Sequence, residues 1–124
     1  MSETSTHLFV PIARERREAC LGAAGSAAHV MRVIRMVQGR WKLLILFRLY
    51  ADPSVRTLQL KRDLHGVSQK VLTQQLRELA ADRLIERTDF GERPLRVDYR
   101  LTGMGRALVP LLGAAKAFSI DHPA

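Results

Sequence analysis

The chain has 124 residues, of which 47% are hydrophobic and 26% are charged, and this composition excludes a disordered or fibrous protein. Lys and Arg number 20 against 12 Asp and Glu, so the formal net charge is +8, and 16 of the 20 cations are Arg. The length suits one compact domain, and a basic chain rich in planar guanidinium groups predicts a polyanion as partner. An anionic membrane surface or an acidic protein would be the competing partners.

The single cysteine, Cys20, excludes an intrachain disulfide and a metal site built from several cysteines. This usage is typical of a reducing cytosol. The first residues lack the basic start and long apolar run of a secretory signal. The most apolar segment, from Leu43 to Tyr50, is interrupted by Arg48 and is too short to span a bilayer. We therefore expect a cytoplasmic protein that does not bind a membrane.

The N-terminal part of the chain gives the weakest pattern. We expect residues 1–27 to form an arm that contains a short helix opened by Pro11, and residues 28–124 to form the main domain. The Gly22 to Ala28 run suits a loop or a weak helical continuation. From His29 to Val37 apolar residues recur at helical spacing, and a glycine follows as a natural helix end.

The segment Trp41–Tyr50 is apolar nearly all round, which predicts a core helix buried at the centre of a small bundle. Pro53 breaks this helix, and Val55-Arg56 is expected to form a brief strand. A short amphipathic helix comes next. The pair His65-Gly66 then forms a tight turn, so two helices are joined as in a helix-turn-helix.

The stretch after this turn predicts a capped helix with two contrasting faces. Ser68 is placed to cap its first free N–H groups, and Leu72, Leu76 and Leu79 share one apolar face. The opposite face carries polar and cationic side chains, namely Gln69, Lys70, Thr73, Gln74 and Arg77. Such side chains can neutralise phosphate and contact base edges. An ordinary solvated helix face is the alternative interpretation.

After this helix the apolar period changes to two. The segments Ile85–Phe90 and Leu95–Leu101 are joined by a four-residue loop, residues 91–94, which predicts a β-hairpin. Alternation along the second strand places Asp98, between Val97 and Tyr99, on the face that meets solvent or ligand.

A final helix is predicted after Thr102, whose hydroxyl is placed to cap it. Pro110 inside this helix should remove a hydrogen bond and introduce a bend. Its apolar stripe comprises Leu108, Leu111, Leu112, Ala115 and Phe118. The order of elements predicts a mainly α fold with a small β-hairpin, a winged helix-turn-helix.

Three motifs, in order, resemble those of the HxlR-type bacterial transcription regulators over residues 29 to about 118. The run Val37-Gln38-Gly39-Arg40-Trp41 resembles the family's Ile-Gly-Gly-Lys-Trp. Ser68-x-Lys70-x-Leu72-Thr73-x-x-Leu76-Arg77-x-Leu79 is similar to the family's run of the same residue types. Pro94-x-x-Val97-x-Tyr99-x-Leu101-Thr102-x-x-Gly105 resembles its wing and the entry to its last helix, and Leu108-x-Pro110-Leu111-Leu112 resembles the continuation of that helix.

The resemblance implies a homodimeric DNA-binding regulator whose N- and C-terminal helices form the dimer interface. The predicted interface residues are those of the apolar stripe, Leu108, Leu111, Leu112, Ala115 and Phe118.

Three positions depart from the family pattern. Members that sense oxidants carry a cysteine where this chain has Ala28, and Cys20 lies eight residues earlier, so redox sensing is not carried over. We expect Cys20 to be a packing residue. Arg83 stands where the family usually has Gly, and Thr57 replaces a usual Phe, which predicts looser packing of the helix before the turn.

We therefore expect a sequence-specific regulator of transcription, a repressor, that binds double-stranded DNA as a homodimer on a pseudo-palindromic operator. Ser68 begins the helix that enters the major groove, Arg77 is better placed for phosphate, and Arg93 and Arg96 at the hairpin would reach the backbone or minor groove. The side chains expected to face the bases are Gln69, Lys70, Thr73 and Gln74. A solvated hairpin tip is the alternative for Arg93 and Arg96.

A winged-helix module that binds an acidic protein partner without reading DNA is the alternative function. An enzyme is not expected, because the four histidines show no metal-ligand spacing and no nucleophile, paired carboxylates or Gly-rich phosphate loop accompanies them. We expect no cofactor and no metal. The sequence leaves open the operator, the target genes and whether a small-molecule effector binds.

Overall fold

Two helices form the first of two compact units into which the chain divides, residues up to Gln38 and residues Gly39–Ala124. The computed structural model describes residues 14–91 and 96–124. Helix α1 spans Arg14–Leu21 and helix α2 spans Ser26–Val37, so α2 begins three residues before the predicted periodicity. Pro11, expected to open α1, lies outside the described residues.

A turn of small residues joins α1 to α2. A Cβ atom added to Gly25 would lie 2.7 Å from the Ala19 carbonyl oxygen, which is closer than real Cβ atoms approach. The glycine is therefore required by the close approach of the two backbones. Cys20 is half-buried in α1.

The second unit is a winged helix-turn-helix, as the sequence predicted. Three of its elements are strands, which form one antiparallel sheet in the order β1-β3-β2. Its elements are α3 (Arg40–Ala51), β1 (Val55–Arg56), α4 (Thr57–Asp63), α5 (Gln69–Ala81), β2 (Ile85–Asp89), β3 (Val97–Leu101) and α6 (Gly103–Asp121). The predicted hairpin is thus completed by the brief strand β1 as its third member.

The core of this unit is built from one face of each helix and the inner face of the sheet. Leu72, Leu76 and Leu79 of α5 are buried, which confirms the predicted apolar face. Burying a leucine side chain contributes about 1.5–3 kcal/mol, so this face anchors α5 firmly. The other large side chains that are fully buried are Ile45, Leu46, Leu49, Leu60, Leu84 and Ile85.

The predicted all-round burial of α3 is wrong for the single chain. Its buried positions lie on one side, while Leu44, Phe47 and Tyr50 are exposed. The helix packs on the rest of the unit through one face only, and a hydrophobic composition does not reveal which side is covered. Lys42, by contrast, is buried, because its ammonium group forms an ion pair with Glu78 across 2.6 Å.

The expected outward position of Asp98 is also wrong, since only 4% of this residue is exposed. β3 is the central strand, and Asp98 is paired in register with Arg56 on one side and Thr88 on the other. Its carboxylate accepts hydrogen bonds from Ser54 Oγ at 3.0 Å and from the Arg96 guanidinium at 3.2 Å. Buried charge is tolerated when it is paired in this way.

Helix α6 begins with the predicted cap, because Thr102 Oγ1 accepts a hydrogen bond from Gly105 N at 3.0 Å. A Cβ added to Gly105 would lie 2.1 Å from the Leu84 carbonyl oxygen, so a side chain there would force α6 away from its neighbour. The helix continues through Pro110 to Asp121. None of the helices in the described part of the chain is long and apolar enough to cross a membrane.

Candidate nucleic-acid interface

The turn between α4 and α5 sets the position of the second helix. Gly66 has a φ of 87°, a conformation that glycine adopts without steric cost, and Val67 N donates to the Leu64 carbonyl at 3.1 Å. Ser68 Oγ then accepts from Val71 N at 3.1 Å, which confirms the predicted N-cap. The first turn of α5 is therefore held by both its backbone turn and its cap.

The polar face of α5 is open to solvent along its length. Gln69, Lys70, Gln74 and Arg77 are exposed, and Thr73 is half-buried beside them. Gln69 Nε2 donates to Thr73 Oγ1 at 3.2 Å, so these two side chains are oriented by each other. The structure thus brings together on one surface all five side chains that the sequence placed on this face.

A chain of polar contacts connects this face to the core. Gln74 Nε2 donates to Glu78 Oε2 at 2.6 Å, and Glu78 Oε1 pairs with the buried Lys42 ammonium at 2.6 Å. The Lys42 hydrogen bond, followed by that of Gln74, lowers the pKa of the Glu78 carboxyl. Lys42 and Glu78 therefore position Gln74. The sequence signal for Lys42 was a lone cation in an apolar helix, and its partner was not identified.

The wing holds Arg96 against the sheet. Its Nε and Nη2 atoms both lie 3.2 Å from the carboxylate oxygens of Asp98, and its guanidinium carbon lies 4.6 Å from the centre of the Phe90 ring. The Arg96 hydrogen bonds lower the pKa of the Asp98 carboxyl despite the burial that opposes them. Arg96 is thus fixed at the base of the wing. Arg93 lies outside the described residues.

Between α4, α5 and the sheet lies a groove of about 680 Å³, which we call the arginine groove. Its cationic lining consists of Arg56, Arg77, Arg87 and Arg96. No acidic side chain is among the described residues that line it. Arg56 and Arg87 were missed from the sequence. Arg87 faces the groove because it pairs in register with Tyr99, and that register is not visible in the pattern of one strand.

The lower part of the arginine groove is apolar and well supported. Leu76, Val97 and Tyr99 line it, together with the half-buried Thr57 and Thr73. Thr57 Oγ1 donates to the Val97 carbonyl at 3.2 Å, so the residue that replaces a larger aromatic side chain ties α4 to β3.

A family model described as HxlR-like helix-turn-helix matches residues 36–122. The chain belongs to the HxlR-like helix-turn-helix family. YtcD of Bacillus subtilis, named an uncharacterized HTH-type transcriptional regulator, is 39% identical over 93 residues, or 75% of this chain and 73% of YtcD. YdzF of the same organism, named likewise, is 38% identical over 79 residues, covering 64% of this chain and 72% of YdzF.

Solved structures give the same result for this HxlR-like chain. The crystal structure of ytcD superposes with a TM-score of 0.70 at 39% identity, covering 75% of this chain and 94% of that one. A MarR-family regulator from Enterococcus faecalis V583 superposes with a TM-score of 0.74 at 33% identity, covering 79% and 88%. The chain is therefore a DNA-binding transcriptional regulator, and the protein-contact alternative is not favoured.

Proposed function

We propose that this HxlR-like regulator binds a pseudo-palindromic operator as a homodimer and represses transcription there. The observation that carries the proposal is the capped helix α5, whose exposed face presents Gln69, Lys70, Gln74 and Arg77 beside the arginine groove. A helix with donors, acceptors and cations on one face can lie in the major groove and contact base edges and phosphates together.

The residues on α5 divide into two roles. Gln69, Lys70, Thr73 and Gln74 lie in its first half and face the bases, with Ser68 at the helix start near the backbone. Arg77 lies one turn further along and contacts phosphate. At the wing, Arg93 and Arg96 contact the backbone or the adjacent minor groove.

The apolar stripe of α6 supports a dimer. Leu111 and Phe118 are 52% and 67% exposed in the single chain, and exposed apolar groups of this size are favourably covered by a partner. Leu108, Leu112 and Ala115 complete the stripe, with the N-terminal helices contributing to the same interface. A two-fold axis between the protomers would place the two copies of α5 about 34 Å apart, the spacing of successive major grooves.

Repression requires nothing beyond binding. A dimer that occupies two successive major grooves excludes other proteins from the same stretch of promoter, so regulation needs no catalytic step. We accordingly assign no enzymatic activity to the chain, and place it in the cytoplasm with the bacterial DNA it binds.

Selection of bound sequences from random duplex DNA tests the proposal. The expected result is an inverted repeat whose half-site centres are about 10 base pairs apart. Recovery of a single half-site would contradict the dimeric arrangement. Recovery of no preferred sequence, with binding that merely weakens in salt, would contradict sequence-specific reading by α5.

A further inference from the structure

We infer that the arginine groove is a binding site for a small organic anion with an apolar, aromatic body, and that such an anion competes with DNA for α5. The competition rests on the function proposed above, whereas the binding site itself does not. The groove's volume of about 680 Å³ lies within the range of small-molecule sites.

The cationic rim supplies the charge. Within residues 14–91 and 96–124, neither Arg56 nor Arg77 forms an ion pair within 4.0 Å. Arg87 has only a long contact of 3.7 Å to Asp89, and its side chain is about half exposed. Three guanidinium groups are therefore available to a carboxylate, which they can bind by paired hydrogen bonds.

The floor of the groove distinguishes a small organic anion from the DNA backbone. Leu76, Val97 and Tyr99 provide an apolar surface, and the Thr73 hydroxyl lies beside it. A phosphate of the DNA backbone requires only the cations and gains nothing from such a floor. A molecule with an anionic head and an aromatic body would use both parts of the groove.

The groove and the proposed DNA-binding face share residues. Thr73 and Arg77 line the groove and also lie on the polar face of α5. An occupant that binds the Arg77 guanidinium removes that cation from phosphate, so anion and DNA cannot both be bound at full strength. This overlap provides a direct way for an anion to release the regulator from its operator.

The test uses 2-naphthoate, with neutral 2-naphthamide and inorganic phosphate as matched probes, added to the full chain without DNA. Binding is followed by calorimetry and by backbone amide shifts at about 0.15 M salt, which screens general attraction to a basic chain. We expect 2-naphthoate to shift the amides of Thr73, Leu76 and Tyr99, and the amide probe to bind about tenfold more weakly. Equal binding of both organic probes, or no shifts in the groove, would overturn the inference.

Inorganic phosphate separates the two sources of anion. If phosphate alone produced the same shifts with equal affinity, the groove would be a site for DNA phosphates, and the inference would be wrong. Arg56→Gln and Arg87→Gln should each weaken 2-naphthoate binding about tenfold. Arg100→Gln removes the same charge from β3 outside the groove lining and should not weaken it. An equal loss in all three variants would indicate general charge attraction and contradict the site.

The DNA arm is read separately. With a selected operator, saturating 2-naphthoate should lower DNA affinity at least about tenfold, and 2-naphthamide should not. If 2-naphthoate binds in the groove but operator affinity is unchanged, competition is refuted while the site stands. If the chain binds no operator even without the probe, the proposed function fails, and the groove shifts still decide whether the anion site exists.

Discussion

Arg83 has a backbone conformation that side chains rarely adopt, with a φ of 63°. It lies just after the end of α5, where its N–H donates to the Ala80 carbonyl at 3.0 Å, and its carbonyl accepts from the Thr102 hydroxyl at 2.5 Å. These contacts use only the backbone of Arg83, whose side chain is exposed. A residue with a Cβ atom costs about 1 kcal/mol relative to glycine in this region.

We therefore expect Arg83→Gly to raise the free energy of unfolding by up to about 1 kcal/mol, because it removes the steric cost and keeps both backbone hydrogen bonds. Part of this gain is offset, since glycine also increases the entropy of the unfolded chain. Thermal unfolding measures the change. Arg83→Ala keeps the Cβ atom and is the matched control, which should gain nothing. A lower melting temperature for the glycine variant would refute the explanation.

Asp98 is the buried carboxylate that holds the base of the wing, and its neutral isostere tests this role. Asp98→Asn keeps an oxygen for Ser54 but leaves the Arg96 guanidinium without its charged partner. We expect a loss of about 2 kcal/mol in urea denaturation, the range for hydrogen bonds to charged groups. Glu86→Gln is the control, because its ion pair with Arg100 is exposed and should contribute less than about 1 kcal/mol. Equal losses would show that burial of Asp98 is unimportant.

The same carboxylate should make stability depend on pH. The Arg96 hydrogen bonds hold the pKa of folded Asp98 below its ordinary value, so the unfolded chain binds the proton more readily. The contribution to stability is therefore present above the ordinary pKa of Asp and is lost as pH falls through the lowered folded pKa. Urea unfolding between about pH 6 and about pH 2 should show a smaller decline for Asp98→Asn than for the natural chain. Parallel declines would exclude Asp98 as a source.

At the scale of elements, features set by neighbouring residues were predictable and those set by distant partners were not. The caps at Ser68 and Thr102 and the leucine face of α5 depend on a few adjacent residues, and the structure confirms them. The burial of Asp98 depends on β1, which lies more than 40 positions away in sequence. The groove position of Arg87 likewise depends on strand register. Composition alone also overestimated how much of α3 is covered.

Within α5, Gln74 and Arg77 should differ in their effects on DNA binding. Gln74 is positioned by Glu78 and Lys42 and faces the bases, so Gln74→Ala should change the preferred sequence at one position per half-site. Arg77→Gln should weaken binding to all sequences alike and reduce the salt slope by about one, because it removes one phosphate contact. Titrations of a selected operator and its single-base variants over several salt concentrations measure both. A uniform loss in both variants would contradict this division of roles.

For the whole molecule, the excess of positive charge and the exposed apolar stripe favour different partners. The net charge of +8 favours a polyanion, and the leucines and phenylalanine on α6 favour a second apolar surface. A dimer satisfies both, because it covers the stripe and brings two basic surfaces to one DNA duplex. Two linked half-sites then bind with far higher affinity than one, since the second contact becomes intramolecular.

Separating the protomers is the direct test of this arrangement. Leu111→Asp places a charge in the middle of the apolar stripe, where an unpaired carboxylate cannot be buried at low cost, so the dimer should dissociate. Ala117→Asp adds the same charge on the opposite side of α6 and is the matched control. Sedimentation should show a monomer only for Leu111→Asp, with unchanged helix content and an operator affinity reduced at least about 100-fold. If Leu111→Asp sediments as a dimer, or if both variants dissociate equally, the α6 stripe is not the surface that joins the two protomers.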